Sequence, residues 1–250
     1  MSTSYERRTV EGKGADLLAV EEPLEIRVNG TPFTVTMRTP GSEVELALGF
    51  LYTEGITNIR GAKLCTDTPN VVEVELTGAA PPPRNFYTTS SCGICGKASI
   101  DSVKVHSQHD VSQDLTRVSK TVLNGLPAKL SAAQKSFRHT GGTHAVGVFT
   151  PDGQLVIARE DVGRHNAMDK VIGTLWQRGQ LPLTGHLVLL SGRASFELTQ
   201  KAWVAGAPIV AAVSAPSTLA VDTAQEAGMT LIGFLRGESM NVYTRPDRIA

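Results

Sequence analysis

Polar and apolar residues alternate with a period of two over much of the first third of the chain. Residues 24–28 alternate around Glu25 and Arg27, and Asn29-Gly30 supplies the two positive-φ positions of a type I′ turn. Residues 31–38 then return as a second strand. Val72, Val74 and Leu76 alternate with Glu73 and Glu75 in another half-buried strand. Between them, Ser42-Glu43-Val44-Glu45 matches a capping box, in which the Ser42 hydroxyl and the Glu45 carboxylate satisfy early helix amides. Val44, Leu48 and Leu51 mark the apolar stripe of that helix, and Gly55 is its natural stop. Pro81-Pro82-Pro83 continues neither structure and marks a linker.

The rhythm changes further on. Residues 107–140 are polar, lack a strong period and predict one or two helices with loops. Residues 143–149 and 155–161 read as strands joined by the turn Thr150-Pro151-Asp152-Gly153. Ala167, Met168, Val171, Ile172, Leu175 and Trp176 fall at helical spacing within 164–178. An apolar strand at 187–190, a helix at 195–205, an apolar strand at 209–213, a helix at 217–227 and a strand at 229–235 follow. Continuous apolar strands alternating with helices predict a parallel-rich sheet covered on both faces. The expected fold class is α/β: a layered α/β domain over 110–250, a smaller β-rich N-terminal portion over 15–85, and a cysteine loop with its following helix over 86–109. No internal repeat is visible.

Composition narrows the function. The 250 residues hold 24 Lys+Arg and 24 Asp+Glu, a neutral balance that argues against a general nucleic-acid binder with its basic stripe. Residues 1–80 carry 7 basic and 12 acidic side chains, and the remainder 17 and 12. An anionic ligand therefore suits the second part better, although simple scatter accounts for the split as well. No apolar run approaches the ~20 residues that span a bilayer, and residues 1–14 hold no signal-peptide stretch. Three cysteines are odd in number and too few for a disulfide scaffold. These features predict a cytoplasmic protein that engages neither nucleic acid nor membrane.

Cys92-Gly93-Ile94-Cys95 is the sharpest local signal. Two thiols three positions apart can share a turn, and a following helix would favour the thiolate through its N-terminal dipole. Lys97 adds positive charge, and the polar Thr88-Thr89-Ser90-Ser91 and Gly96 make poor core material for a buried, inert pair. Three chemistries compete. A structural zinc site needs four ligands, and Cys65 has no partner cysteine, so histidine would have to complete the set. A thioredoxin-like dithiol belongs after an early strand, whereas this pair follows a proline linker. A sulfur relay would use a thiolate that accepts sulfur as a persulfide. Spacing alone leaves these open.

A second cluster lies at predicted strand ends, where ligands of open α/β sheets sit. Asp161-Val162-Gly163-Arg164-His165-Asn166, Ser191-Gly192-Arg193-Ala194-Ser195, Ser214-Ala215-Pro216-Ser217 and Phe234-Leu235-Arg236-Gly237-Glu238-Ser239 each follow a strand. Helix N-termini there offer amides to anions, and Arg164, Arg193 and Arg236 add guanidinium groups suited to phosphate. Ordinary capping and turn chemistry explains the Ser, Gly and Asn but not three arginines. None of the segments is a P-loop or a G-x-G-x-x-G fingerprint. His144 stands in Gly141-Gly142-Thr143-His144-Ala145-Val146, where Val146 replaces the general-acid glutamate of a zinc deaminase and the cysteine pair precedes the histidine. His144 reads as structural, and no metal site is expected.

Taken in order, Ser90-Ser91-Cys92-Gly93-Ile94-Cys95-Gly96-Lys97, Gly141-Gly142-Thr143-His144, the string of residues 159–170 (REDVGRHNAMDK), Ser191-Gly192-Arg193 and Ser214-Ala215-Pro216-Ser217 resemble the FdhD family of formate dehydrogenase accessory proteins. The resemblance runs from about residue 24 to Ile249. It implies a sulfurtransferase, a persulfide carrier that takes sulfur from a cysteine desulfurase to the molybdenum (or tungsten) bis(molybdopterin guanine dinucleotide) cofactor before insertion into formate dehydrogenase. It implies a cytidine-deaminase-like α/β domain without deaminase chemistry, and a homodimer. Cys92 and Cys95 would be catalytic, Cys92 bearing the persulfide. The cofactor-binding stretch would be Phe234, Leu235, Arg236, Gly237, Glu238 and Ser239, with Arg164, His165, Arg193 and Ser214 as further candidates and GDP or GMP as a partial mimic. The rival readings are a thioredoxin-like dithiol oxidoreductase and a non-catalytic cofactor chaperone.

Overall fold

The structure, a computed structural model, describes residues 4–79, 105 and 107–250. The strands in chain order are β1 Tyr5–Val10, β2 Gly14–Ala19, β3 Glu22–Val28, β4 Thr31–Arg38, β5 Ile59–Leu64 and β6 Val71–Leu76. They continue as β7 His144–Phe149, β8 Leu155–Asp161, β9 Leu187–Leu190, β10 Ile209–Ala212, β11 Thr230–Arg236 and β12 Ser239–Thr244. The helices are α1 Glu43–Thr53, α2 Lys120–Ala133, α3 Lys135–Thr140, α4 Arg164–Gln177, α5 Phe196–Val204 and α6 Thr218–Ala227. They form two compact units. The first takes the described residues up to 79 together with 135–144 and 160–174, and the second takes the rest.

In the first unit β1 and β2 make an antiparallel hairpin, and a four-stranded sheet has the order β4-β3-β6-β5. β3 lies parallel to β6 and antiparallel to β4. Asn29 and Gly30 have φ 49° and 78°, the turn that their sequence predicts. The alternation in β3 and β6 puts Leu24, Ile26, Val28, Val72, Val74 and Leu76 on one face, packed against Leu46, Ala47 and Leu51 of α1. At the other end of α1, Gly55 (φ 82°) donates to the Tyr52 carbonyl and Ile56 to that of Leu51, a Schellman stop. The helix start differs from expectation. Ser42 has φ 62°, outside the extended region in which a cap hydroxyl faces the first amides, and its side chain caps nothing. Glu43 rather than Glu45 reaches back, accepting the Gly41 amide at 2.6 Å.

α1 and α4 meet backbone to backbone within this unit. A Cβ on Gly49 would overlap the Asp169 carbonyl oxygen and come 2.8 Å from the Gly173 amide nitrogen. One on Gly173 would overlap the Glu45 carbonyl oxygen and come 2.8 Å from the Gly49 nitrogen. Both helices need glycine where they cross.

The second unit is built on a six-stranded sheet of order β12-β11-β10-β9-β7-β8. β9, β10 and β11 are parallel at its centre, while β7 pairs antiparallel with β9 and β12 antiparallel with β11. The sheet is thus parallel at the core and mixed overall. Strands buried on both faces account for the unbroken apolar runs Leu187–Leu190 and Ile209–Ala212. Leu123, Leu126 and Leu130 of α2 pack against Leu187, Leu189, Ile209, Ala211 and Ile232. The chain end is held by Arg248, 1% exposed, whose guanidinium donates to the carbonyls of Val111 (2.7 Å), Gly228 (2.8 Å) and Asp114 (3.1 Å).

Candidate functional site

Because β9, β10 and β11 run the same way, their carboxyl ends share one edge of the second unit. The exits from β9 (191–195) and β10 (213–217) lie side by side there. Val213 donates to the Leu190 carbonyl (3.0 Å), Ser214 to Gly192 (3.2 Å), Ala194 to Ala215 (3.2 Å) and Ser217 to Ala194 (3.0 Å). These bonds extend the sheet by a few residues and bring the N-termini of α5 and α6 to the same edge. Ser217 caps α6, its hydroxyl accepting the Ala220 amide at 3.2 Å. Ser195, the equivalent residue of α5, makes no such bond, and its buried Oγ has no hydrogen-bond partner among the described residues. Two helix N-termini at one edge give it a positive bias from their dipoles, with the Glu197 carboxylate in the first turn of α5 beside them.

The third component is the β11–β12 hairpin. A β-bulge interrupts the pairing between Gly233 and Arg236, and Phe234 within it has φ 53°. An aromatic residue in the left-handed region is strained, and such strain concentrates at functional sites. The conformation is held by the Phe234 amide, which donates to the Ser214 carbonyl at 3.1 Å, and it leaves the ring 38% exposed. Gly233 beside it has no room for a side chain, since a Cβ would lie 2.8 Å from Pro216 and 3.0 Å from the Tyr243 ring. Arg236 is exposed and donates from Nε to the Val213 carbonyl at 2.8 Å, so its guanidinium is fixed at one corner while its two Nη groups stay available. Gly237 (φ 55°) and Glu238 form the tight turn, and Ser239 opens β12.

The stretch 234–239 takes in the bulged end of β11, a two-residue turn and the first residue of β12, so the strand predicted over 229–235 runs on to Arg236 and a further strand follows it. The Phe234 amide is already used, and Leu235 is buried in the core. The structure does bring Arg193, Ser214, Phe234, Arg236, Gly237, Glu238 and Ser239 into one unit with the two helix N-termini. It also adds Gly233 and Tyr243. The alternation of Ser239, Asn241 and Tyr243 (exposed) with Met240 and Val242 (half-buried) was the signal for β12, masked by its short length and polarity.

Arg164 and His165 fall in the first unit, within a dense set of buried polar contacts. Asp161 is fully buried. One of its carboxylate oxygens accepts from the Gly163 amide (2.8 Å) and Asn166 Nδ2 (3.1 Å), and the other from the Thr39 amide (3.1 Å). Asn166 also donates to the Met37 carbonyl at 2.6 Å, and the Thr53 hydroxyl to Asp169 at 3.0 Å. Glu160 accepts from the Ser136 and Phe137 amides (2.9 and 2.8 Å), which caps α3, and from the Thr143 hydroxyl (2.9 Å). The string at 159–170 therefore spends most of its polar residues on holding β4, α1, α3 and α4 together.

Cys92 and Cys95 lie outside the described residues. Cys65 is half-buried, and hydrogen bonds from the Asp67 and Thr68 backbone hold its thiol below the usual range. Among the described residues no group of three His, Cys, Asp or Glu side chains could hold a metal ion, and no helix is long and apolar enough to cross a membrane.

The sequence model of the FdhD/NarQ family matches residues 19–250. The chain is 52% identical to the sulfur carrier protein FdhD of Mycobacterium tuberculosis, over 94% of this chain and 92% of that one. It is 51% identical to the protein of the same name from Streptomyces coelicolor, over 94% and 89%. The crystal structure of a proposed formate dehydrogenase accessory protein from Desulfotalea psychrophila superposes with a TM-score of 0.77 at 23% identity, covering 98% of both chains, and so shares the fold.

Proposed function

The chain belongs to the FdhD/NarQ family, and from that membership we propose that it is a cytoplasmic sulfur carrier that readies the metal cofactor of formate dehydrogenase. The observation that carries this reading is identity above one half, across more than nine-tenths of the chain, to proteins named as sulfur carriers, together with the Cys92-Gly93-Ile94-Cys95 pair. The Cys92 thiolate attacks the terminal sulfur of a persulfide on a cysteine desulfurase. A new S–S bond forms at Cys92, the bond in the donor breaks, and the donor cysteine leaves as its thiolate. Cys95 assists or accepts the sulfur in turn. The cargo's destination is a molybdenum or tungsten bis(molybdopterin guanine dinucleotide), which enters as substrate, and the protein acts as a homodimer between the desulfurase and formate dehydrogenase.

The strand-end edge of the second unit is the place for the nucleotide portion of that cofactor. Two helix N-termini and Arg236 favour phosphate, and the exposed Phe234 ring offers an apolar wall to a purine. Glu238 can accept the two donors of a guanine edge.

The test is mass spectrometry of the full chain after incubation with a cysteine desulfurase and cysteine. One added sulfur, about 32 Da, is expected on Cys92 and absent from Cys92→Ala. A chain that reduces insulin rapidly and never gains the mass would be a dithiol oxidoreductase instead. A Cys92→Ala chain that still matures formate dehydrogenase in full would be a chaperone.

A further inference from the structure

Val213 and Ser214 join the exit from β9 to the β11–β12 hairpin. Their amides donate to the Leu190 and Gly192 carbonyls on one side. On the other side their carbonyls accept from Arg236 Nε at 2.8 Å and from the Phe234 amide at 3.1 Å. Phe234 and Arg236 are thus held against the edge by main-chain acceptors, at a separation that the packing around Gly233 has to allow. All of these residues belong to the second unit.

Gly233 is buried, and its φ lies outside the left-handed region, so glycine is needed there for space and not for backbone freedom. A Cβ would lie 2.8 Å from Pro216 Cδ, 3.0 Å from Tyr243 Cε2 and 3.3 Å from the Ser214 carbonyl oxygen. These obstacles do not yield equally. The Tyr243 ring is 39% exposed and can swing outward. Pro216 cannot, because its ring is fixed to its own backbone and both chain neighbours are bonded to Ala194. Ala215 accepts the Ala194 amide at 3.2 Å, and Ser217 donates to the Ala194 carbonyl at 3.0 Å. Room for a side chain at 233 therefore has to come from β11 moving away from the β10 exit. That movement would lengthen the Phe234–Ser214 bond. A left-handed aromatic residue persists only while its surroundings over-determine it, so Phe234 (φ 53°) would relax as the bond weakened.

We infer that Gly233 is a positioning residue for nucleotide binding: seated without a side chain against Pro216, it holds Phe234 in its strained conformation and Arg236 in register with the β10 exit. This rests on the reading of the strand-end edge as the nucleotide site. Gly233 acts through its neighbours. It fixes where the Phe234 ring and the two Nη groups of Arg236 stand relative to the helix N-termini, and a site about 1 Å too loose is present without working.

The experiment uses the full chain with Gly233→Ala, with Pro216→Ala, and with both. The pair is a size exchange, because Pro216→Ala removes the Cδ that the new methyl group would strike. Titration calorimetry with GDP reads the site, and hydrogen exchange of the Phe234 amide by NMR reads the seat. Circular dichroism establishes that each variant is folded at the temperature used. Gly233→Ala should bind GDP about tenfold more weakly, Pro216→Ala about threefold, and the double variant within about twofold of the parent. Exchange of the Phe234 amide should follow the same order, fastest in Gly233→Ala and close to the parent in the double variant. A role in stability alone would lower the melting temperature and leave the affinity of the folded protein unchanged, which would overturn the inference. Additive losses in the double variant would overturn it too, since additivity means that the two residues are not coupled. If Gly233→Ala yields no folded protein, Pro216→Ala decides, and an unchanged GDP affinity there sinks the role. If the parent itself does not bind GDP, the nucleotide reading of the edge fails, and the positioning role fails with it whatever the exchange shows.

Discussion

Lys170 Nζ lies 2.7 Å from Asp161 Oδ2, and both side chains are sealed from solvent, 2% and 0% exposed. The ammonium also donates to the Thr39 carbonyl at 2.8 Å, and the carboxylate is saturated by the Thr39, Gly163 and Asn166 donors. Both charges are therefore desolvated and fully hydrogen-bonded, which is the condition under which a buried pair can persist.

Removing one member of that pair strands the other. Asp161→Asn and Lys170→Met should each lower the unfolding free energy by about 3–5 kcal/mol. The double variant should lose less than the sum of the two, because no uncompensated charge remains. Urea denaturation of the three variants measures this, and strict additivity would mean that the pair is not coupled.

Gly49 and Gly173 make a different kind of demand. The atoms that an added methyl would meet are main-chain carbonyls and amides, which cannot rotate aside. Gly49→Ala must push α1 and α4 apart, at a cost at or above the ~1–3 kcal/mol of ordinary overpacking. For a chain of this size ~1–3 kcal/mol corresponds to a melting temperature lower by roughly 2–12 °C, readable by calorimetry. Gly61→Ala, with open space around its position, is the control and should leave the melting temperature near that of the parent.

Asp114 supplies a pH signature. Its partial burial pushes the carboxyl pKa up, but the Thr116 hydroxyl and amide, the Gly185 amide and the Arg248 cation together outweigh this and leave it below the usual range. A depressed native pKa means that the ionised group stabilises the fold above the ordinary aspartate value of about 3.9, and that this stability is lost as the pH falls through the native value. The stability gap between the parent and Asp114→Asn should accordingly be full at pH 6–7 and shrink below about pH 4. Urea midpoints at a series of pH values check it, and a gap independent of pH would remove Asp114 from the account.

Arg236 carries the ligand prediction. Its Nε is held by the Val213 carbonyl while its Nη groups are free to pair with a phosphate in the forked geometry that lysine lacks. Arg236→Ala should weaken GDP binding by roughly 1.5–3 kcal/mol, the range for a hydrogen bond to a charged group. Persulfide loading at Cys92 should be untouched. Titration calorimetry with GDP and the mass assay on one preparation read both. Unchanged affinity would take Arg236 out of the site, and lost loading would point to a damaged fold.

The sequence by itself determined where many of the regular elements lie, though not β1, β2, β5 or β12. Period-two alternation located β3 and β6, unbroken apolar runs located β9 and β10, and helical spacing located α4, because each pattern reports which side of an element meets the core and needs no knowledge of the partner. The Asn29-Gly30 turn and the Gly55 stop were legible for a similar reason, since the backbone angles they require are local. What only the tertiary structure decided depends on residues distant in the chain. Ser42 is drawn into the left-handed region and leaves its capping box unmade, and Phe234 is held strained by a carbonyl twenty residues earlier. β7 and β12 turn antiparallel at the flanks of a parallel core. Segments 135–144 and 160–174 join the first unit through buried bonds from Glu160, Asp161 and Asn166. In the sequence, the polar residues of 159–170 look like chemistry. In the fold, a buried polar group must be satisfied wherever a donor or acceptor can be found, and some of the partners for these, at Met37, Thr39 and Thr53, lie more than a hundred residues away.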